Sequence, residues 1–265
     1  MLLKIAHTTT YTYDAPVSYA LQRLRIRPTP SVLQNVLSWT LSVTGGNVAG
    51  SHKDHYGNHV DLICAEEGTQ QLAIHVSGEV ETQDKAGVLG PVYGRAPLWH
   101  FCRETPMTKP GKMVNELAGS VDVSDDRLGA LHALSVAVLS AVKYELATTD
   151  PQTTAEEAVA QGRGGCQDHA NVFIAAARVH GIPARYVSGY LQLDDRIDQD
   201  ASHAWAEAHV DGLGWVGFDG ANGISPDGRY VRLAIGRDAA DAAPVSGLRM
   251  GNSGESLIVS LQVQQ

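Results

Sequence analysis

The sequence predicts an α+β protein, in which a β-rich N-terminal unit precedes helices packed on an antiparallel sheet. Three observations predict it. Short runs of β-branched, aromatic and aliphatic residues recur through about the first eighty positions, separated by turn signals. Leu128, Leu131, Leu134, Val138 and Val142 then recur at intervals of three and four, the apolar stripe of an amphipathic helix. Strand-like runs return at Ala184–Leu193, His203–Val210 and Trp215–Asp219.

Taken in order, Lys4–Tyr13, Tyr19–Arg27, Val36–Val43, His59–Cys64 and Leu72–Val80 read as strands. Asp14-Ala15-Pro16, Pro28-Thr29-Pro30, Thr44-Gly45-Gly46-Asn47 and Tyr56-Gly57-Asn58 separate them as turns, and this spacing suggests a sandwich-like unit over residues 1–83. Gly87, Gly90, Pro91, Gly94, Pro97, Pro106, Pro110 and Gly111 break any long element, so residues 84–126 read as a connecting segment. The third unit, 127–265, opens on the Leu128–Val142 helix, and Asp150-Pro151 interrupts the chain after it. Thr154 and Glu157 match a capping box for a short helix. A second helix runs from Cys166 to His180, ends at Gly181 and is barred from continuing by Pro183. Leu257–Val263 alternates as a closing strand.

Composition removes several classes. Hydrophobic residues make up 43% and no like-charge block is long, which excludes a disordered or fibrous chain. A formal charge of −9 with only 20 Lys and Arg argues against a general nucleic-acid binder. No stretch approaches the ~18 apolar residues of a membrane span, and the N-terminus turns polar too soon for a secretory signal. Three scattered cysteines do not make a disulfide framework. The expectation is a soluble, cytoplasmic protein.

Cys166 is the first candidate for chemistry. A thiol attacks as thiolate, its ordinary pKa is ~8.5, and a helix N-terminus supplies partial positive charge and free N–H groups beside it. Gly164-Gly165 lets the chain turn sharply into that position. Cys64 lies within a β run and reads as structural, and Cys102 has no diagnostic neighbours. His203 is the second candidate. Period two places His203, Trp205, Glu207 and His209 on one strand face, leaving Ala204, Ala206 and Ala208 to pack on the Ala-rich helix. Asp219 is the third, at the end of Trp215–Asp219. A nucleophile–base pair needs a group that orients the imidazole, and the Asp211–Gly214 turn would make His203 and Asp219 cross-strand partners. His169 competes as base at i+3 from Cys166, though without an obvious carboxylate. Asp168 in the first helical turn is explained by the helix dipole. The chain has no CxxC pair or HExxH spacing, so no metal or other cofactor is expected.

Gly162-Arg-Gly-Gly-Cys-Gln-Asp168, Gly181-Ile-Pro-Ala-Arg-Tyr-Val-Ser-Gly-Tyr190, Ser202-His-Ala-Trp-Ala-Glu207 and Gly214-Trp-Val-Gly-Phe-Asp219 resemble, in order, the core of the bacterial transglutaminase-like superfamily. Thr153–Gln161, Arg232–Asp238 and the N-terminal β unit are similar to the same family. The resemblance implies a papain-like core with a Cys–His–Asp triad, falling on Cys166, His203 and Asp219. Two departures stand out: Gly220-Ala221 where the family usually has Pro-Thr, and His169 where an aromatic or apolar residue is commoner. The implied reaction is acyl transfer through a thioester on a peptide or protein amide. Water as acceptor makes a cysteine peptidase or amidase, the favoured reading; an amine makes a transglutaminase. A silent peptide-binding cleft is the rival from another class. The Cys166 N–H is one expected oxyanion donor. Trp99, Tyr93 and Tyr144 are guesses for a second.

Overall fold

The alternating N-terminal run forms strand β1 (Leu2–Tyr13), with Leu3, Ile5, His7, Thr9, Tyr11 and Tyr13 turned inward. A computed structural model describes residues 1–91, 96–145, 148–194, 196–199, 201–250 and 254–265. After β1 come β2 (Tyr19–Leu24), β3 (Gln34–Thr44), β4 (Gly46–Lys53), β5 (His59–Ala65) and β6 (Gln71–Thr82). Strand β7 (Val88–Gly90) and two 3-10 turns, Leu98–Cys102 and Pro106–Thr108, lead to helices α1 (Lys112–Gly119) and α2 (Arg127–Ala141). Then follow β8 (Lys143–Tyr144), α3 (Ala155–Gln161), β9 (Arg163–Gly164), α4 (Cys166–Val179) and β10 (Ala184–Leu191). The chain closes with β11 (Asp198–Gln199), β12 (His203–Val210), β13 (Gly214–Phe218), β14 (Tyr230–Gly236), β15 (Val245–Met250) and β16 (Glu255–Gln264). The fold is α+β, as expected, with a sandwich-like N-terminal unit and a papain-like core.

Two sheets, ordered β11-β16-β1-β6-β3 and β15-β2-β5-β4, make the sandwich. Tyr11, Tyr13, Leu72 and Ile74 from one meet Leu24 and Ile63 from the other. Its last strands come from the far end of the chain: β16 pairs along β1 from Lys4↔Gln264 to Tyr13↔Glu255, and β15 pairs with β2. By sequence this segment groups with residues 127–265, because pairing partners some 250 positions apart leave no local signal. Strand β4 leaves no sequence signal either, because it is nearly all exposed and carries no alternation.

The core sheet runs β14-β10-β12-β13-β7, with α4 against it. Ala170, Ala175, Ala176 and Ala177 of α4 and Ala204, Ala206 and Ala208 of β12 share one buried cluster. The small side chains allow close approach of helix to strand, as the spacing predicts. The amphipathic stripe of α2 buries Leu131, Leu134 and Val138, and Thr154 and Glu157 form the expected capping box on α3. Residues 84–126 hold more structure than expected. Helix α1 has no side-chain cap of its own; Gly111, Met113 and Val114 donate their N–H groups to the Glu156 carboxylate of α3 at 3.0, 2.8 and 3.0 Å. A cap supplied 40-odd residues downstream satisfies the orphan donors without leaving a local motif.

Two amides tie the sandwich to the core by imitating a neighbouring strand. Gln34 donates to Arg232 O at 2.7 Å and accepts from Arg232 N at 2.8 Å, while Asn58 does the same with Ile235 at 2.7 and 2.9 Å. Both sit on β14, so the otherwise open edge of the core sheet is closed by side chains. His7 of β1 adds a 2.8 Å hydrogen bond with the Tyr190 hydroxyl of β10.

Candidate active site

Helix α4 carries Cys166 as its first residue, and Asp168 through Arg178 are all buried beneath the surface that residue reaches. The Asp168 carboxylate caps the helix, accepting from Gly165 N at 2.8 Å and from the Thr149 hydroxyl at 2.7 Å. The expected sharp glycine turn takes another form. Gly165 has φ −88° and ψ −172°, extended backbone open to any residue. Gly164 is required by space: a Cβ there would lie 2.7 Å from Asp168 Cβ. Cys166 is half-buried, at the mouth of a cleft of about 480 Å³ lined also by Tyr144, Leu191, Leu193, Gln199 and His203.

His203 opens strand β12 and turns its Nε2 onto Asp219 Oδ2 at 2.6 Å. The Cys166 sulfur lines the same cleft and is near enough to favour the charged form of this imidazole, whose Nδ1 is the nitrogen that Asp219 leaves free. Burial opposes a charge on this ring. The hydrogen bonds to Asp219 and Cys166, with the charges of both, overcome that cost and push its pKa up to about 10. Trp205 stacks beside the ring at 6.3 Å and 27°. Gly189, the β10 partner of His203, leaves room for that indole, since a Cβ would come within 2.5 Å of it.

Asp219 is fully buried, and its placement corrects one expectation. Ala206 faces Phe218 and Val210 faces Gly214, so continuing this register puts Asp219 opposite Trp205, two positions from His203. The contact is therefore diagonal, within reach of an imidazole. Past Phe218 the chain folds back in an Asp219–Ile224 bridge. This turn gives Asp219 Oδ1 the N–H groups of Ala221 and Asn222 at 3.0 and 3.2 Å. Oδ2 accepts from His203, from the Asn222 amide at 2.7 Å and from the Tyr230 hydroxyl at 2.8 Å. Burial alone would raise the carboxyl pKa, but these donors hold it below the ordinary carboxylate range. Gly220-Ala221, the departure from the family pattern, thus still builds a closed turn.

The structure brings Cys166, His203 and Asp219 together and separates the competitors. His169 is fully buried, with Nδ1 2.7 Å from Gly165 O and Nε2 2.7 Å from Val142 O, so both nitrogens are engaged by backbone. It ties the start of α4 to the end of α2. Cys64 lies in β5, and Cys102 sits in a 3-10 turn, where burial pushes its thiol pKa up. Glu207 belongs to a buried ion network, 2.6 Å from Arg185 and 2.9 Å from Arg232. Of the guessed oxyanion donors, Tyr144 lines the cleft; burial and the neighbouring Cys166 and Asp219 charges push its phenol up. Trp99 lies 60% exposed beneath the Arg103 guanidinium, and Tyr93 falls outside the described residues. Tyr230 has no signal in the sequence: it stands in β14, outside the motifs that point to chemistry, and nothing in its neighbourhood along the chain marks it as a partner of Asp219. Among the described residues, no three His, Cys, Asp or Glu side chains converge as a metal cage.

A mixed core in which a helix-borne cysteine meets a histidine–aspartate pair defines a transglutaminase-like, papain-like class of fold. Residues 115–220 match the model of the transglutaminase-like superfamily, and residues 3–81 match the bacterial transglutaminase-like N-terminal region. The chain thus joins a bacterial transglutaminase-like N-terminal region to a core of the transglutaminase-like superfamily. It is 25% identical over 278 residues to an uncharacterized protein of Mycobacterium leprae, covering 98% of each chain. A second uncharacterized protein, from Mycobacterium tuberculosis, is 28% identical over 289 residues, covering 98% of this chain and 91% of that one. A crystal structure of a candidate cysteine protease from Cytophaga hutchinsonii superposes with a TM-score of 0.80 at 24% identity, covering 100% of this chain and 91% of that chain. This last likeness is one of fold.

Proposed function

We propose that the chain is a thiol-dependent acyl-transfer enzyme that hydrolyses amide or peptide bonds, with Cys166 as nucleophile, His203 as general acid and base, and Asp219 as the group that orients it. The observation that carries the reading is His203, held by Nε2 on Asp219 at 2.6 Å, standing on the wall of the cleft that Cys166 also lines. In this scheme His203 takes the thiol proton and the sulfur attacks the amide carbonyl. The tetrahedral oxyanion accepts from the Cys166 N–H, which has no intrahelical partner in the first turn. The C–N bond then breaks as His203 delivers its proton to the leaving amine. Water, deprotonated by His203, attacks the thioester, and the carboxylic acid departs as the thiol regains its proton. Asp219 stays ionised and stabilises the imidazolium at each stage. Water is favoured as acceptor because the cleft is open to solvent, where it outnumbers any amine.

Partitioning tests the reading. A panel of peptide amides should yield amine and free acid, with the activity abolished in Cys166→Ala. A lysine analogue at millimolar concentration should capture only a minor share of the acyl group. Dominant conjugate with scarce acid would make the protein a transglutaminase. No product, with Cys166 no more reactive than Cys64 or Cys102 toward iodoacetamide, would make it a silent binding cleft.

A further inference from the structure

The outer edge of β16 is covered over only part of its length. Asp198 and Gln199 of β11 face Gln262 and Leu261, and Val263 N–H donates to Ile197 O at 3.4 Å. Backbone groups alternate sides along a strand, so Leu261, Val259 and Leu257 present their N–H and C=O on that same edge. Among the described residues no strand lies opposite Glu255–Ser260. Apart from the charge of Glu255, paired with Arg249 at its start, the stretch has no Lys, no Pro and no bulge in its pairing with β1 to blunt an open edge. Leu257 and Ile258 are 53% and 66% exposed on it.

The position of this edge matters more than its exposure. Gln199, the last residue of β11, lines the cleft together with Ala201, Ser202 and His203. The uncovered lane therefore begins where the cleft wall begins and continues the direction of β11. We infer that Glu255–Ser260 is a docking edge for an extended segment of the polypeptide substrate, which adds to β16 antiparallel, in line with β11, and places its scissile amide at Cys166. The inference rests on the proposed hydrolysis of amides and narrows the substrate to unfolded or extended chain, recognised through main-chain hydrogen bonds. It also gives the N-terminal sandwich a part in substrate binding.

The probe is reduced, carboxymethylated lactalbumin, an unfolded chain, against the full-length protein. Its binding should slow alkylation of Cys166 by iodoacetamide, mapped by mass spectrometry, and should protect amides of residues 255–260 from hydrogen exchange in Cys166→Ala. Leu257→Pro removes an N–H that points into the lane and leaves the β1 ladder intact. It should raise the probe concentration needed for protection at least tenfold, while Leu257→Ala, which keeps the N–H, changes it much less. Exchange elsewhere in β1 and β16 reports whether the variants are folded. Equal protection of wild type and Leu257→Pro would overturn the docking edge and leave the cleft chemistry standing. Protection that follows the protein's own concentration would assign the edge to a second copy and also overturn it. A slow-reacting Cys166 would instead remove the proposed function, and the exchange data on 255–260 would still decide the edge.

Discussion

The Tyr230 hydroxyl donates a 2.8 Å hydrogen bond to the same Asp219 oxygen that holds His203. Tyr230 is itself buried and meets Trp205 edge-on at 5.4 Å, so the phenol is fixed before the carboxylate uses it. A buried carboxylate tolerates its charge through such donors, and each one lost makes the neutral acid easier to form.

Tyr230→Phe should therefore move the acid limb of the pH–activity profile upward and lower kcat more than it raises KM. Fold stability should fall by ~1–3 kcal/mol, the usual cost of leaving a buried hydrogen-bonding group short of a partner. A pH profile of kcat and kcat/KM beside urea denaturation checks both. An unmoved acid limb would reduce Tyr230 to a packing residue.

The two candidate histidines should separate cleanly. His203→Ala should slow thiol acylation at neutral pH by at least ~10³-fold, the scale seen when one member of a cooperating catalytic set is removed. His169→Ala leaves the Gly165 and Val142 carbonyls without its ring, so it should cost stability, while acylation stays within about tenfold of wild type. Single-turnover acylation and thermal unfolding of both variants measure the difference. The opposite ranking of the two rates would make His169 the base.

His203 should titrate near pH 10 in the folded protein, against an ordinary value of 6.5. Because the folded value is raised, the stabilisation it brings is complete below pH 6.5 and disappears as pH rises through about 10. Wild type should thus lose its stability advantage over His203→Ala across that window. Histidine NMR should also show a lower midpoint in Cys166→Ala, since the sulfur helps to hold the proton. A midpoint unchanged by loss of the sulfur would contradict a coupled thiol–imidazole pair.

Glu207→Ala should be the most damaging single change on the outer face of β12. It leaves Arg185, with burial already lowering its pKa to about 10, without its carboxylate partner. Breaking a buried pair from one side costs ~3–5 kcal/mol. Urea denaturation of Glu207→Ala against wild type reads it, and a loss below ~1 kcal/mol would show that the stacking of Arg185 on Trp215 at 3.8 Å carries the site instead.

What the sequence determined by itself was local in origin. The Thr154–Glu157 capping box, the Leu131–Leu134–Val138 stripe, the alanine faces of α4 and β12 and the strand-like run from Trp215 to Asp219 all arise from residues a few positions apart. Cys166, His203 and Asp219 could be named for the same reason, each marking an end of such an element, and the order of four motifs tied them to one family. Only the tertiary structure decided how distant pieces complete one another. Glu156 caps α1 from another helix, Tyr230 reaches Asp219 from β14, and His203 meets Asp219 diagonally instead of across the ladder. Strands β15 and β16 travel back to finish the N-terminal sheets, which sets β11 and the cleft wall against the sandwich. Periodicity and capping act within a few residues, whereas strand pairing and side-chain capping at a distance satisfy whichever donors folding brings close, and these leave no pattern along the chain.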